Sequence, residues 1–455
     1  MTTVDQASVL EIADPADGHA LGAVPVASPD DIAAAFTGAH RAQPSWARAP
    51  AAERATVLHN AATQLREHAD ELADLNRSET GRPREEAREG VLAGAATIEQ
   101  YAELGPVHRG HSLLGDFSAT DFMVPEPRGV VVALTPWNDP VAVACGLLGA
   151  ALVTGNTVVH KPSERCPQTG GLLGEVLAGP LPDGVLQTLQ GDGRVGAALA
   201  ARDDVDLIAH VGSTATGQSI AASAATTGAK VLLENGGNDP LVVDEGVDPQ
   251  WAADQAALGA FANSGQICVA VERIYVHRAV AEPFVEALVE LARDRELAPL
   301  VDVRHREAVH AQVGDAVAWG AQARAGGTIP AGAGAYYPAT VLTGCTDRMR
   351  VLREETFGPV APIRTVDSFE QGLAEAGDDA YGLAATVLTP SMAHAQHAWR
   401  ELAVGTVKVN AVFGGAPGGA AHPRRHSGTG YGYGPELLDE MTQTKVVHLA
   451  PPGGT

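Results

Sequence analysis

Between residues 130 and 245 the chain alternates short β-branched runs with Ala-rich stretches of helical length, and this alternation limits the fold more than any other feature. Residues 131–135, 157–161, 185–190, 205–211 and 230–234 read as strands, and 141–153, 168–178 and 216–225 as helices. Strands joined through helices build right-handed βαβ units, and these assemble a parallel sheet. Such a sheet takes ligands at the carboxyl ends of its strands. After Asp239-Pro240 a second alternating series runs to about Asn410, with helices at 249–262 and 280–293 and strands at 273–277 and 384–388. Ahead of the first series, residues 29–104 have helical spacing, 105–115 form a Gly-rich break and 117–134 read as extended chain. The chain closes on a strand-like segment at 444–449.

A chain of 455 residues with 45% hydrophobic content buries a large core and divides into two or three domains. Its 55 acidic residues outnumber 31 basic ones, for a net charge of −24. A nucleic-acid partner, which needs clustered Lys and Arg, is therefore not expected. Only Lys161, Lys230, Lys408 and Lys445 are lysines. Cys145, Cys166, Cys268 and Cys345 are scattered without a CxxC pair, so neither a metal ribbon nor a disulfide framework is expected. The opening Met1–Asp5 has no basic segment leading into an apolar run, and no stretch reaches the length of a membrane span. These features point to a cytoplasmic enzyme that uses no metal.

Four short segments carry the chemistry: Thr135-Pro136-Trp137-Asn138, Leu233-Glu234-Asn235-Gly236-Gly237, Gly265-Gln266-Ile267-Cys268 and Glu354-Glu355-Thr356-Phe357-Gly358-Pro359. Singly each has an ordinary explanation, since a lone Cys is usually a small core residue and a strand-end Asn a turn former. In this order they resemble the aldehyde dehydrogenase superfamily over nearly the whole chain. Glu234 and Cys268 are 34 residues apart, which is the family's own spacing. Lys161-Pro162-Ser163-Glu164, Gly191-Asp192-Gly193, the run Gly212–Gly217, Tyr381-Gly382-Leu383 and Ser427-Gly428-Thr429-Gly430 extend the match.

The resemblance implies an α/β chain with a Rossmann-like parallel-sheet cofactor domain, an α/β catalytic domain and a small β arm for oligomerisation. The cofactor domain would comprise residues 1–108 and 128–236, the catalytic domain 237–426, and the arm 109–127 with 440–450. Cys268 would be the nucleophile, because a thiolate attacks a carbonyl carbon well and also leaves well from a thioester. The Asn138 amide and the Cys268 backbone N–H would hold the oxyanion. Hydride would pass to the nicotinamide, and Glu234 would activate the water that hydrolyses the thioester. Thr135, Pro136, Trp137, Ser163, Gly191, Gly212 and Gly236 would border the cofactor. Lys161 and Glu164 would meet the adenosine ribose, where a carboxylate repels a 2′-phosphate and favours NAD, with NADP still possible. Ser213 would bring helix N-terminal amides to the diphosphate. Glu355 would take the nicotinamide ribose and Phe357 would pack beside the nicotinamide.

Two departures from the family pattern concern the substrate. The loop before Ser427 reads Pro417-Gly418-Gly419-Ala420-Ala421-His422-Pro423-Arg424-Arg425-His426, without the usual Phe, so its arginines could hold an anionic group. Asp139, directly after Asn138, could instead attract a cationic aldehyde or pair with those arginines. Ile267, Val269 and Phe413 complete the expected tunnel wall together with Asp139 and Arg424. Release of the acyl group to coenzyme A is disfavoured by the retained Glu234. A non-redox thiol hydrolase using the same Cys and Glu, or a non-catalytic binding protein on the same fold, remains the alternative. The arm implies a homodimer or homotetramer.

Overall fold

The computed structural model describes residues 9–415 and 418–452, so Pro417 and the first eight residues lie outside it. The chain opens on a hairpin, β1 (Val9–Ala13) and β2 (Ala20–Pro25), which the sequence reading did not anticipate. Four helices follow: α1 (Pro29–Arg48), α2 (Ala51–Glu67), α3 (Ala69–Thr80) and α4 (Arg84–Leu104). Ser28 starts α1 through a capping box with Asp31, which satisfies two helix-end donors reciprocally. Next come β3 (His111–Leu113) and β4 (Thr120–Pro127).

The first βα series contains β5 (Val130–Leu134), α5 (Pro140–Val153), β6 (Thr157–Lys161), α6 (Pro167–Ala178), β7 (Leu186–Thr188), α7 (Gly193–Ala200), β8 (Leu207–Val211), α8 (Thr214–Thr227) and β9 (Lys230–Glu234). The sequence reading passed from β7 to β8 without α7. The Asp192 side chain caps that helix by accepting from the Arg194 N–H, a start signal that the surrounding Gly-Asp-Gly pattern obscured. The expected extended stretch 117–134 is two strands in two different sheets, separated at Arg128-Gly129.

The second series contains β10 (Asp239–Val243), α9 (Pro249–Phe261), β11 (Val271–His277), α10 (Ala281–Arg293), α11 (Val303–Ala318), β12 (Gln322–Ala325), β13 (Thr340–Thr343), β14 (Val360–Val366), α12 (Phe369–Gly377), β15 (Ala384–Leu388), α13 (Met392–Glu401) and β16 (Thr406–Val409). The end of the chain supplies β17 (Gly428–Thr429), α14 (Leu437–Glu440) and β18 (Thr442–Leu449).

Three sheets of three or more strands organise these elements. One has the order β17-β9-β8-β5-β6-β7, parallel except for β17. The second has the order β12-β13-β14-β11-β10-β15-β16, parallel except for β12. The third, β18-β4-β3, is antiparallel. Strands β5 and β6 are buried at every position, as expected for a parallel sheet covered by helices on both faces. One face packs Val131, Ala133 and Val158 against α2, α4 and α5, and the other packs Val132, Leu134 and Val159 against α1, α7 and α8. The chain crosses between the two large sheets at 235–238 and returns through β17, which pairs Gly428 with Glu234. That return brings the carboxyl end of β9 next to the second sheet.

Candidate active site

The site begins with three groups that come from different elements. Asn138 follows the carboxyl end of β5, where Asp139 and Pro140 start α5. Cys268 lies on the turn before β11, reached through three consecutive left-handed residues, Asn263 (φ 46°), Ser264 (φ 55°) and Gly265 (φ 75°). Such a run is costly for Asn and Ser, and it persists here because neighbouring groups hold it. Ser264 donates to the Ala298 carbonyl at 2.7 Å, and Asn263 donates to the Gln266 carbonyl at 3.2 Å. The Asn138 amide reaches the same carbonyl at 3.1 Å, so the strand-end amide of the first sheet is tied to the nucleophile turn of the second.

Glu234 ends β9 and accepts from the Gly432 N–H at 3.1 Å. Any side chain at 432 would collide with it, since a Cβ there would lie 2.2 Å from Glu234 Cγ. Burial pushes Glu234 up to about 7, partly offset by the Gly432 N–H. The Cys268 thiol is pushed up to about 12, first by burial and then by the fields of Glu234, Asp239 and Glu355. At neutral pH it therefore rests as a thiol, and attack needs a base.

Glu355 lies over the Gly236-Gly237 turn and accepts from the Gly237 N–H at 2.9 Å. A Cβ at Gly236 would come within 2.1 Å of its carboxylate, so only glycine allows this approach. Burial raises Glu355 to about 8, with Glu272 adding to the effect. Phe357 sits at φ 53° and packs edge-on to Trp137, with ring centres 5.5 Å apart.

The remaining predicted cofactor residues gather at the carboxyl ends of β5, β6 and β8. Lys161 Nζ donates to the Pro162 and Gly191 carbonyls at 2.8 and 2.7 Å, with Glu164 at 4.0 Å. Ser163 is buried, and its hydroxyl accepts from the Arg165 N–H. Thr135 is buried against His160 at 2.9 Å, and Pro136 is buried beside it. Ser213 caps α8 by accepting from the Thr216 N–H, and Gly212 donates to the Glu234 carbonyl at 3.0 Å.

Several supporting residues were not singled out from the sequence. Glu272, buried on β11, accepts from the Thr356 and Phe357 N–H groups at 3.0 and 2.9 Å and fixes the turn that carries Glu355. Gln312 holds the same turn through the Glu355 carbonyl and the Thr356 hydroxyl. His305 bonds the Phe357 carbonyl at 2.7 Å and packs against Trp137. Each is an isolated polar residue within an otherwise ordinary element, and nothing local marks it.

The structure gives several of the expected tunnel residues partners of their own. Asp139 pairs with Arg82 at 2.7 Å, not with the Arg424-Arg425 run. Arg82 precedes α4 by two residues, so no local pattern linked it to Asp139. The Arg425 guanidinium donates to the Gly377 and Asp379 carbonyls, which makes it a structural cap. Arg424 is exposed, with its backbone N–H on the Gly382 carbonyl. His422 is held between the Pro423 carbonyl and the Gly430 N–H, so its ring is occupied as well. Ile267 and Val269 flank Cys268 half-buried, and Phe413 lies 5.6 Å from the Lys408 ammonium.

A family model described as the aldehyde dehydrogenase family matches residues 2–447. Lactaldehyde dehydrogenase from Escherichia coli is 32% identical over 99% of this chain and 98% of its own, with a TM-score of 0.95. A 3,6-anhydro-L-galactose dehydrogenase solved in complex with NAP is 32% identical over 98% of this chain and 97% of its own, with a TM-score of 0.94. Betaine aldehyde dehydrogenase from Staphylococcus aureus, solved with NAD+, is 29% identical over 97% of this chain and 91% of its own, with a TM-score of 0.93. The chain belongs to the aldehyde dehydrogenase family, and its activity is NAD(P)-dependent oxidation of an aldehyde.

Proposed function

We propose that this enzyme oxidises its aldehyde through a thioester on Cys268 that is released by water. The observation that carries the reading is the link from the Asn138 amide to the carbonyl two residues before Cys268, at 3.1 Å. It ties the proposed oxyanion donor to the turn that carries the proposed nucleophile. In this reading Cys268 gives its thiol proton to a solvent base and attacks the carbonyl carbon, and the Asn138 amide with the Cys268 backbone N–H stabilises the charge on oxygen. Glu234 is the base that acts on the hydrolytic water, and its raised affinity for a proton suits exchange near neutral pH. After transfer, Glu234 takes the proton of the water that cleaves the thioester.

The residues present fit a dinucleotide. The Lys161 ammonium, the Ser213-capped helix and the Glu355 turn all face the strand ends where such a ligand binds. When bound, the nicotinamide supplies the hydride acceptor. Lys161 and Glu164 would hold the adenosine ribose, Glu355 the second ribose, and Phe357 with Trp137 would wall the nicotinamide side. The Glu164 carboxylate favours NAD over NADP without excluding the latter.

We assign residues 1–108 and 128–236 to cofactor binding, 237–426 to catalysis, and 109–127 with 440–450 to an oligomerisation arm in a homodimer or homotetramer. A cytoplasmic setting suits a mechanism that needs a free thiol. The test is NADH formation across aliphatic, aromatic, amino- and carboxy-bearing aldehydes, with NAD and NADP in parallel. Turnover that prefers NAD and disappears in Cys268→Ala supports the reading. Turnover that survives the substitution contradicts it.

A further inference from the structure

We propose that Arg82 is a positioning residue for the reaction, whose guanidinium holds the Asn138-Asp139 step at the start of α5 and so fixes where the Asn138 amide points. The inference rests on the reading of Asn138 as the oxyanion donor. The Arg82 Nη1 group makes an ion-pair contact with Asp139 Oδ1 at 2.7 Å and donates to the Asn138 carbonyl at 3.4 Å. One nitrogen thus meets two consecutive residues. With the peptide between them held, the Asn138 Cα is fixed, and its side-chain amide keeps its reach of 3.1 Å to the Gln266 carbonyl on the nucleophile turn.

The surroundings of Asp139 explain why it needs this partner. It stands just before α5, yet its side chain makes no capping hydrogen bond, so the usual use of Asp at a helix start is absent. Its Oδ1 atom is sealed from solvent and has no hydrogen-bond partner. A carboxylate oxygen enclosed in this way is costly without a cation beside it, and Arg82, with its side chain 14% exposed, supplies that charge. Gly90, inside α4, closes the remaining side. A Cβ there would lie 2.8 Å from Asp139 Oδ1 and 3.3 Å from Arg82 Nη1, so the helix gives up a side chain to admit the pair.

A positioning residue must itself be anchored, and Arg82 is. It follows Gly81, the left-handed end of α3 at φ 77°, and its N–H donates to the buried Thr80 hydroxyl at 3.3 Å. That hydroxyl donates in turn to Asn76. Glu79 ties the same loop to the start of α6, accepting from the Gln168 and Thr169 N–H groups at 2.8 Å each. From the other sheet, Asn263 Nδ2 donates to the Asn138 carbonyl at 3.4 Å and to the Gln266 carbonyl at 3.2 Å. The Asn138 carbonyl is therefore held by Arg82 from the helical layer and by Asn263 from the nucleophile turn. Arg82 Nε has no partner, so a single nitrogen carries both contacts, an arrangement that a lysine ammonium can reproduce.

The experiment compares Arg82→Met and Arg82→Lys in the wild-type and Asn138→Ala backgrounds. It reads kcat and KM with NAD and the best aldehyde of the panel, beside NADH titrations and thermal melts. Arg82→Met should lower kcat about 10- to 100-fold, the scale of a misplaced reacting group, while the Kd for NADH stays within about twofold of wild type. Arg82→Lys keeps the charge and the single nitrogen, so its kcat should stay within about threefold of wild type. In Asn138→Ala the amide to be positioned is gone, so adding Arg82→Met should lower kcat by less than about twofold further. Where Arg82→Met does not fold, the uncharged double variant Arg82→Met with Asp139→Asn takes its place with the same expected values. An equal fall of kcat in both backgrounds, a matching loss of NADH affinity, or a loss in Arg82→Lys as large as in Arg82→Met would overturn the proposal. Wild-type kcat in Asn138→Ala alone would instead sink the reading of Asn138 on which the inference rests.

Discussion

At the scale of single residues, the site depends on groups whose ordinary behaviour has been altered by enclosure. The Asn138 side chain has one hydrogen bond, to the Gln266 carbonyl, and no role in closing a core. Asn138→Ala should therefore lower kcat about 10²- to 10³-fold while leaving NADH affinity within about twofold of wild type. A variant that weakens NADH binding as much as turnover would show that the amide is structural. Glu234, raised to about 7, is the base only when ionised. Because the active form is the deprotonated one, kcat should climb as pH rises through about 7 and level off above it. A pH profile of kcat for the wild type and Glu234→Gln checks this. An inflection that persists in Glu234→Gln would assign it to another group.

At the scale of elements, the turn carrying Glu355 and Phe357 is fixed from below by Glu272 on β11. Glu272→Gln leaves a single acceptor for two buried N–H groups, and stability should fall by about 1–3 kcal/mol. NADH affinity should fall with it, because Phe357 is held at φ 53° by these bonds. Urea melts and NADH titration would measure both effects, and an unchanged Kd would detach the turn from the cofactor. Much of the element layout was legible in the sequence. Strands β6, β9 and β15 could be bounded because each carries a short apolar run, Val158-Val159, Val231-Leu232-Leu233 and Val387-Leu388, next to turn or charged residues. Helix α7 is not legible in the sequence because its cap, Asp192, sits between two glycines, which weaken a helix signal. Asn138, Glu234 and Cys268 were visible because they stand in short marked segments. Glu272, His305, Gln312 and the Arg82 partner of Asp139 were not, because their roles exist only through contacts distant in sequence.

At the scale of the whole molecule, two large sheets meet through the crossing at 235–238, and the third sheet stands apart from both large cores. Its strand β18 exposes Val446 at 64% and Leu449 at 57%, and β3 exposes Leu113 at 38%. Apolar side chains on a projecting sheet are suited to covering by a second copy. If the proposed arm joins copies of the chain, Val446→Asp combined with Leu449→Asp should give a smaller species than the wild type by light scattering on a sizing column. A wild-type enzyme that is already monomeric would contradict the arm's role. All three scales converge on one claim, that the acyl group passes through Cys268. The direct test is the intact mass of Glu234→Gln after mixing with NAD and the best aldehyde. One acyl group per chain is expected, mapped to the peptide containing Cys268 and formed together with one equivalent of NADH. One equivalent of NADH without any acyl mass on that peptide would contradict it.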